Sequence, residues 1–220
     1  MNWRFVEICG ESFRVVSSPL TRTWDFWDQV ELGLWEPWFF RSLDLYLANN
    51  SFVDIGAWVG PFTLYAARRC RWVYAVEPDP IALNELEYNL VENKIGNVTL
   101  DSRAISNTAG TAVFGNKSQW GNSESSLMCS ENGIKVKTVT LEEFFTEHKI
   151  TDCGLIKMDV EGAEALILPA MAGFIRNLKI PLYLSLHRQT EQVRQEALQK
   201  IMKLWNFTWD GKPEMILLAS

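Results

Sequence analysis

From residue 51 onward the chain alternates short apolar runs with stretches of helical periodicity, and few folds accept that alternation: it is the pattern of βαβ units on a largely parallel sheet. SFVDI (51–55) reads as a strand, PFTLYAARR (61–69) as a helix opened by Pro61 where its missing N–H costs little, and WVYAV (72–76) as the next strand. Leu83, Leu86 and Leu90 stand at helical spacing with Gly96 as the expected stop, and NVTLDSRAI (97–105) reads as a third strand. LEEFFTEHK (141–149) is a short helix, CGLIKMDV (153–160) a fourth strand and GAEALILPAMAGFIRN (162–177) one or two helices. PLYLSLH (181–187) is a fifth strand, EQVRQEALQKIMKLW (191–205) a long amphipathic helix, and NFTW (206–209) and EMILLA (214–219) complete the sheet, the last running antiparallel.

Between Thr108 and Thr138 the wealth of Gly, Ser and Asn predicts a β excursion with little helix. Ahead of residue 51, Trp24, Phe26, Trp27, Trp35, Trp38, Phe39 and Phe40 crowd together, as either a lid or a packing segment. The expectation is one α/β domain over residues 1–220, with about seven mostly parallel strands, helices on both faces and residues 1–50 as an appended segment.

Composition narrows what such a domain meets. At 47% hydrophobic and 22% charged residues it has the make-up of a soluble globular protein, and no apolar run reaches the roughly 18 residues that cross a bilayer. Arg4 and Glu7 interrupt the stretch where a secretory leader is apolar, so a cytoplasmic protein is expected. A formal charge of −6 works against broad contact with a phosphate backbone, and Arg68, Arg69 and Arg71 read as a solvated helix end; no nucleic-acid partner is expected. Cys9, Cys70, Cys129 and Cys153 have neither zinc nor disulfide spacing and are expected as reduced, buried thiols.

The sharpest local signal is DIGAWVG, residues 54–60, between a strand and a helix. Gly56 and Gly60 permit a tight turn and close approach of backbone to ligand, Ala57 lies between them, and the helix that follows offers N–H groups. The dinucleotide fingerprint G-x-G-x-x-G is absent, because Ala57 and Trp58 follow Gly56. Asp54 puts a carboxylate near where a pyrophosphate would sit, which favours a ligand carrying an ammonium and a sulfonium over one carrying phosphates. S-adenosylmethionine is such a ligand, and a nicotinamide cofactor is disfavoured. Glu77, before Pro78 at the end of the second strand, follows Asp54 at close to the roughly twenty-residue offset at which an acid meets a ribose diol.

In motif, order and spacing, DIGAWVGPFTLYAA, VYAVEPDP and LIKMDVEGAEALIL resemble the FkbM-type methyltransferases, over residues 51 to 190. The resemblance implies a Rossmann-like class I methyltransferase fold and an S-adenosylmethionine-dependent O-methyltransferase acting on a hydroxyl of a sugar or of a secondary metabolite. Carried over, Asp54, Gly56, Gly60 and Glu77 hold the cofactor, with Ala57 and Pro78 beside them and Arg103 and Ala104 next to the adenine. Trp58 stands where the family often has asparagine, and Ser185 where an acidic residue often precedes the strand-end histidine.

Asp159 closes the fourth strand at the carboxyl edge where open α/β sheets bind ligands, and is read as a cofactor and a catalytic residue. Glu161 joins the catalytic set, while Glu164 reads equally as a helix-capping acid. His187 ends PLYLSLH at the same edge, placed to take the proton of an attacking hydroxyl, whereas His148 reads as a solvated residue. Asp159, Glu161 and His187 are also the set a divalent ion would use, although the resemblance demands no metal. Glu36 reaches the cofactor's amino group if the N-terminal segment folds over the pocket. Trp24, Trp27, Trp35, Trp38 and Trp120 are candidate platforms for the apolar faces of sugar rings, against ordinary core packing. O-methylation of a sugar or glycan is therefore the expected activity. The alternatives are methylation of a polyketide or other secondary metabolite, and a non-catalytic cofactor-binding module of a larger glycan-assembly protein.

Overall fold

A computed structural model describes residues 2–19, 21–186 and 214–217, with residues 199 and 203. The chain opens on an antiparallel hairpin, β1 (Asn2–Ile8) and β2 (Glu11–Ser17), turned through Cys9 and Gly10 at positive φ. Two helices follow, α1 (Thr23–Glu31) and α2 (Pro37–Tyr46). Then come β3 (Ser51–Ile55), α3 (Pro61–Ala67), β4 (Trp72–Val76), α4 (Pro80–Glu92) and β5 (Val98–Asp101). The run expected as one third strand is broken: β5 stays in the main sheet, and β6 (Ala104–Ile105) leaves to join β7 (Gly110–Phe114) and β8 (Ile134–Val139) in a small sheet of order β6-β8-β7. The excursion is thus a β structure, as its composition predicts. The chain returns through α5 (Leu141–Glu147), β9 (Cys153–Met158), α6 (Glu164–Leu178), β10 (Leu182–Ser185) and β11 (Glu214–Leu217).

Among the described residues the main sheet has six strands, in the order β11-β10-β9-β3-β4-β5, parallel except for β11. About seven were expected; NFTW, His187 and the helix read over 191–205 lie outside the described residues, but for 199 and 203. The chain builds outward from β3 to β5 and then crosses back to β9 on the other side of β3, so strand order reverses between β3 and β9. Ligands of open α/β sheets bind beyond the carboxyl ends of the strands at such a reversal.

Alternation sorts the strand residues to two cores. Val53 and Ile55 face an apolar cluster shared with α5 and α6, while Phe52 faces one shared with α1 to α4 and the hairpin. The N-terminal segment is therefore a packing unit, with Trp27, Phe39 and Phe40 all but fully buried. Hydrogen bonds fasten it to α4: the Asn89 side chain accepts from the Val16 N–H at 2.7 Å and donates to the Val59 carbonyl at 2.9 Å, and buried Glu85 accepts from the Thr21 and Thr23 hydroxyls at 2.6 and 3.1 Å.

Local details correct three expectations. Helix α4 is stopped not by Gly96 but by Lys94, which takes a left-handed conformation just past its end while Ile95 N–H bonds to the Leu90 carbonyl. The cysteines are free, but Cys9 is exposed and the other three are half-buried. Of the basic cluster, Arg68 and Arg71 are exposed as a solvated helix end would be, Arg71 meeting Asp152, but Arg69 is drawn in to bridge Asp44 and Glu11.

Candidate active site

A cavity of about 340 Å³ opens at the reversal between β3 and β9, a size at the lower end of the range for small-molecule sites. Its floor is the turn after β3 (Gly56, Ala57, Trp58), the end of β4 (Val76, Glu77, Pro78) and the segment after β9 (Asp159, Val160, Glu161). Phe26, Trp35 and Glu36 wall it from the N-terminal unit, Ala104, Ile105 and Phe114 from the small sheet, and Asn122, Ser123, Ser125 and Leu127 from the excursion.

The turn is shaped by its own backbone. Gly56 and Gly60 both have positive φ, as a tight turn requires, but the close approach is not to a ligand: a Cβ on Gly56 would lie 1.9 Å from the Asp159 carbonyl oxygen, and one on Gly60 2.2 Å from Leu86 Cδ1. Four of the turn's donors are spent inside the fold. The N–H groups of Gly56 and Ala57 bond to the Val76 carbonyl, that of Trp58 to Glu77 and that of Gly60 to Ala57.

Asp54 does not line the cavity. It faces Lys157 directly across β3 and β9, with Oδ1 3.3 Å from Nζ and Oδ2 accepting from the Thr63 hydroxyl at 2.6 Å. The Coulomb preference read from a bare Asp54 is thereby cancelled locally. The negative field comes instead from Glu36, Glu77, Asp159 and Glu161, which all line the cavity, against Lys157 as the one basic lining residue among the described residues. Burial pushes the Lys157 ammonium toward neutrality, but Asp54, Asp159 and Glu36 more than offset it and hold its pKa above that of an ordinary lysine.

Glu77 is oriented by two backbone donors, Trp58 N–H on one oxygen and Asp79 N–H on the other, each at 2.8 Å. A carboxylate has about four acceptor sites, so lone pairs remain on both oxygens. Burial raises its pKa to about 7 despite those bonds. Glu36, held at φ 41° ahead of α2, accepts from the Tyr183 hydroxyl at 2.5 Å, which ties the N-terminal unit to β10. Glu161 also sits at positive φ, and Glu164, the first residue of α6, accepts from the Val160 N–H ahead of the helix at 2.9 Å, while among the described residues no side chain caps α6.

The excursion is strapped across the site by Asp79. One of its oxygens caps α4 through Ile81 and Ala82, and the other accepts from Gly121 N–H at 2.8 Å and Ser125 Oγ at 2.7 Å. Trp58 adds a second tie, its indole N–H donating to the Gly121 carbonyl at 2.8 Å.

Of the residues picked from sequence, Glu36, Gly56, Ala57, Glu77, Pro78, Ala104, Asp159 and Glu161 line one cavity; Asp54, Gly60 and Arg103 do not. Arg103 is held away by Asp101 and Glu147, each 2.7 Å from Nη2. His148 is not merely solvated: its ring packs on Phe144 and its Nε2 lies 3.3 Å from Asp101. Burial alone would raise the Asp101 pKa, but Arg103 and His148 hold it below the ordinary value. Of the tryptophans, Trp35 lines the cavity, stacked on Phe62 with centroids 4.8 Å apart, while fully buried Trp27 offers no platform. Among the described residues no three metal-ligating side chains cluster, and His187, third member of the set weighed for a metal, lies outside them. Sequence reasoning missed Lys157, whose one signal was a lysine amid the apolar strand LIKM, and the strap, whose only signal was polarity.

The model of the methyltransferase FkbM domain matches residues 54–207. No curated protein matches the chain. Among solved structures, methyltransferase FkbM from Methylobacillus flagellatus KT is 17% identical with a TM-score of 0.49, over 86% of this chain and 50% of that one, so this chain spans half that relative's length. A SAM-dependent methyltransferase from Agrobacterium tumefaciens is 12% identical with a TM-score of 0.52, over 92% and 59% of the two chains. An rRNA methylase from Streptococcus thermophilus is 11% identical with a TM-score of 0.51, over 82% and 92%. The last two share the mixed α/β fold with its central, mostly parallel sheet.

Proposed function

Since the chain belongs to the FkbM methyltransferase family, with S-adenosylmethionine as its methyl donor, we propose that it transfers the methyl group to a hydroxyl oxygen of a sugar or glycan. The observation that carries the reading is the chemistry of the cavity wall: four carboxylates, a turn with four of its amides engaged in the fold and, among the described residues, a single cation. That set fits the donor. Lone pairs on Glu77 suit the two ribose hydroxyls, Glu36 and Asp159 suit an ammonium, and the apolar side chains Ile105 and Phe114 suit a purine face. A pyrophosphate would find the amides of Gly56, Ala57, Trp58 and Gly60 already engaged.

When bound, the donor supplies a methyl carbon already activated by its sulfonium. The protein's task is then alignment, which in model systems is worth effective molarities of about 10⁵ M or more, together with removal of the hydroxyl proton, worth about 10² to 10⁴ in rate. Asp159 lines the cavity and takes the role of orienting the acceptor hydroxyl. β10 runs parallel to β9, pairing Leu184 with Met158, and the described chain continues to Leu186. We assign the base to the next residue, His187, and an accessory acidic role to Glu161. Trp35 supplies a flat face for the acceptor ring.

Incubation with S-adenosylmethionine and a panel of glycans should give a mass gain of one methyl group on an acceptor. If only polyketide-like acceptors gain mass, the sugar reading is replaced; if the donor binds and no acceptor in either class reacts, the protein is a binding module. His187→Ala is expected to lower turnover at least a hundredfold while leaving donor affinity within about threefold; equal turnover removes His187 from the chemistry.

A further inference from the structure

We propose that Lys157 recognises the carboxylate at the amino-acid end of the bound donor, and so fixes which way that end points. The inference rests on the donor assigned above. Lys157 is 3% exposed, sits in β9 opposite Asp54 and lines the cavity. An ammonium has three N–H donors. The Gly56 carbonyl accepts from one of them at 2.5 Å, and Asp54 Oδ1 lies 3.3 Å away as the ion-pair partner. A lysine that served only to neutralise Asp54 would have no need of a face on the cavity, and a buried donor left without a partner is costly.

The surrounding charge decides what the third donor meets. Glu36, Asp159 and Glu161 line the same cavity, so among the described residues Lys157 is the one lining side chain whose charge can pair with a ligand carboxylate. A ligand ammonium finds its partners among the carboxylates around it, Glu36 and Asp159. A zwitterionic amino-acid end thereby has one favoured pairing, its carboxylate with Lys157 and its ammonium with the carboxylates beside it. The neighbouring carboxylates that keep Lys157 protonated make it an anchor and not a base.

The test is calorimetric titration with S-adenosylhomocysteine and with its decarboxylated counterpart, which keeps the nucleoside, the thioether and the amine. The intact protein should bind the decarboxylated compound about tenfold or more weakly, the value of one charge-assisted hydrogen bond. Lys157→Met should erase that difference. Because the single change strands a buried carboxylate, the pair Asp54→Asn with Lys157→Met provides a second variant without the orphaned charge, and it should erase the difference too. Equal affinity of the intact protein for both compounds overturns the proposal, as does persistence of the gap in either variant. Failure of the intact protein to bind S-adenosylhomocysteine at all overturns the donor reading itself.

Discussion

Asp54 and Lys157 show how one residue's partner changes its meaning. From sequence, Asp54 is a carboxylate at the mouth of a glycine turn; in the fold it is half of a buried ion pair below that turn. Breaking such a pair leaves a lone buried charge, so Asp54→Asn and Lys157→Met should each lower unfolding free energy by about 3–5 kcal/mol. The double variant should lose clearly less than the sum, as denaturant melts will show; additive losses would mean the two charges do not depend on each other. Glu77 yields a pH prediction. Its pKa of about 7 is raised by burial, and only its ionised form accepts two hydroxyls. Affinity for S-adenosylhomocysteine should therefore be about tenfold weaker at pH 6 than at pH 8, and Glu77→Gln should flatten the profile; a flat wild-type profile would exclude Glu77 from the ribose contact. For the unliganded fold the sign reverses. A raised carboxyl pKa means that the folded state holds the proton more tightly, so this stability is present below the unfolded value of 4.5 and is lost as the pH rises through about 7. Burial of Glu85 acts in the same direction over the same window.

The elements were largely readable because each βαβ unit carries its own signal: an apolar run, a Gly or Pro at the switch of period, then leucines at helical spacing. What could not be read depended on distant partners. NVTLDSRAI looks continuous, but its last two residues pair with Thr138 and Val139 instead of β4, a contact no local pattern announces. The first hairpin was missed for a related reason, since NWRFVEI and ESFRVVS meet at Cys9-Gly10, where a cysteine takes the left-handed conformation usually left to glycine or asparagine. Helix α3 gives a test at this scale. Gly60 has φ +87° and its missing Cβ makes room for Leu86, so Gly60→Ala should destabilise the protein by about 1–3 kcal/mol in a thermal melt. Gly96→Ala should be neutral by comparison, because open space surrounds it and the helix stops earlier. A similar loss at both positions would contradict the placement of the turn.

Across the whole molecule, the site could be half-seen from sequence because its floor comes from consecutive motif residues, while its walls come from segments whose only common property is where the topology delivers them. Phe26, Trp35 and Glu36 arrive from the N-terminal unit, and Asn122 and Ser125 from the strap. That arrangement makes cavity and core interdependent. Trp27 is fully buried beside Phe26, 5.0 Å between ring centroids, and donates to the Val16 carbonyl at 3.0 Å. Trp27→Ala should lose about 3–5 kcal/mol of stability and weaken S-adenosylhomocysteine binding, although it touches no ligand. Hydrogen exchange that speeds up in residues 2–46 alone, with binding intact, would show that the unit is an accessory to the pocket and not part of it. The turn after β3, where the amides of Gly56, Ala57, Trp58 and Gly60 are spent within the fold, carries a consequence for redesign. Replacing acids with basic residues around this pocket would change the sign of its potential, yet a phosphorylated nucleotide would still meet a wall of engaged amides. Retuning the protein to such a ligand therefore calls for a different path of the main chain between Asp54 and Pro61.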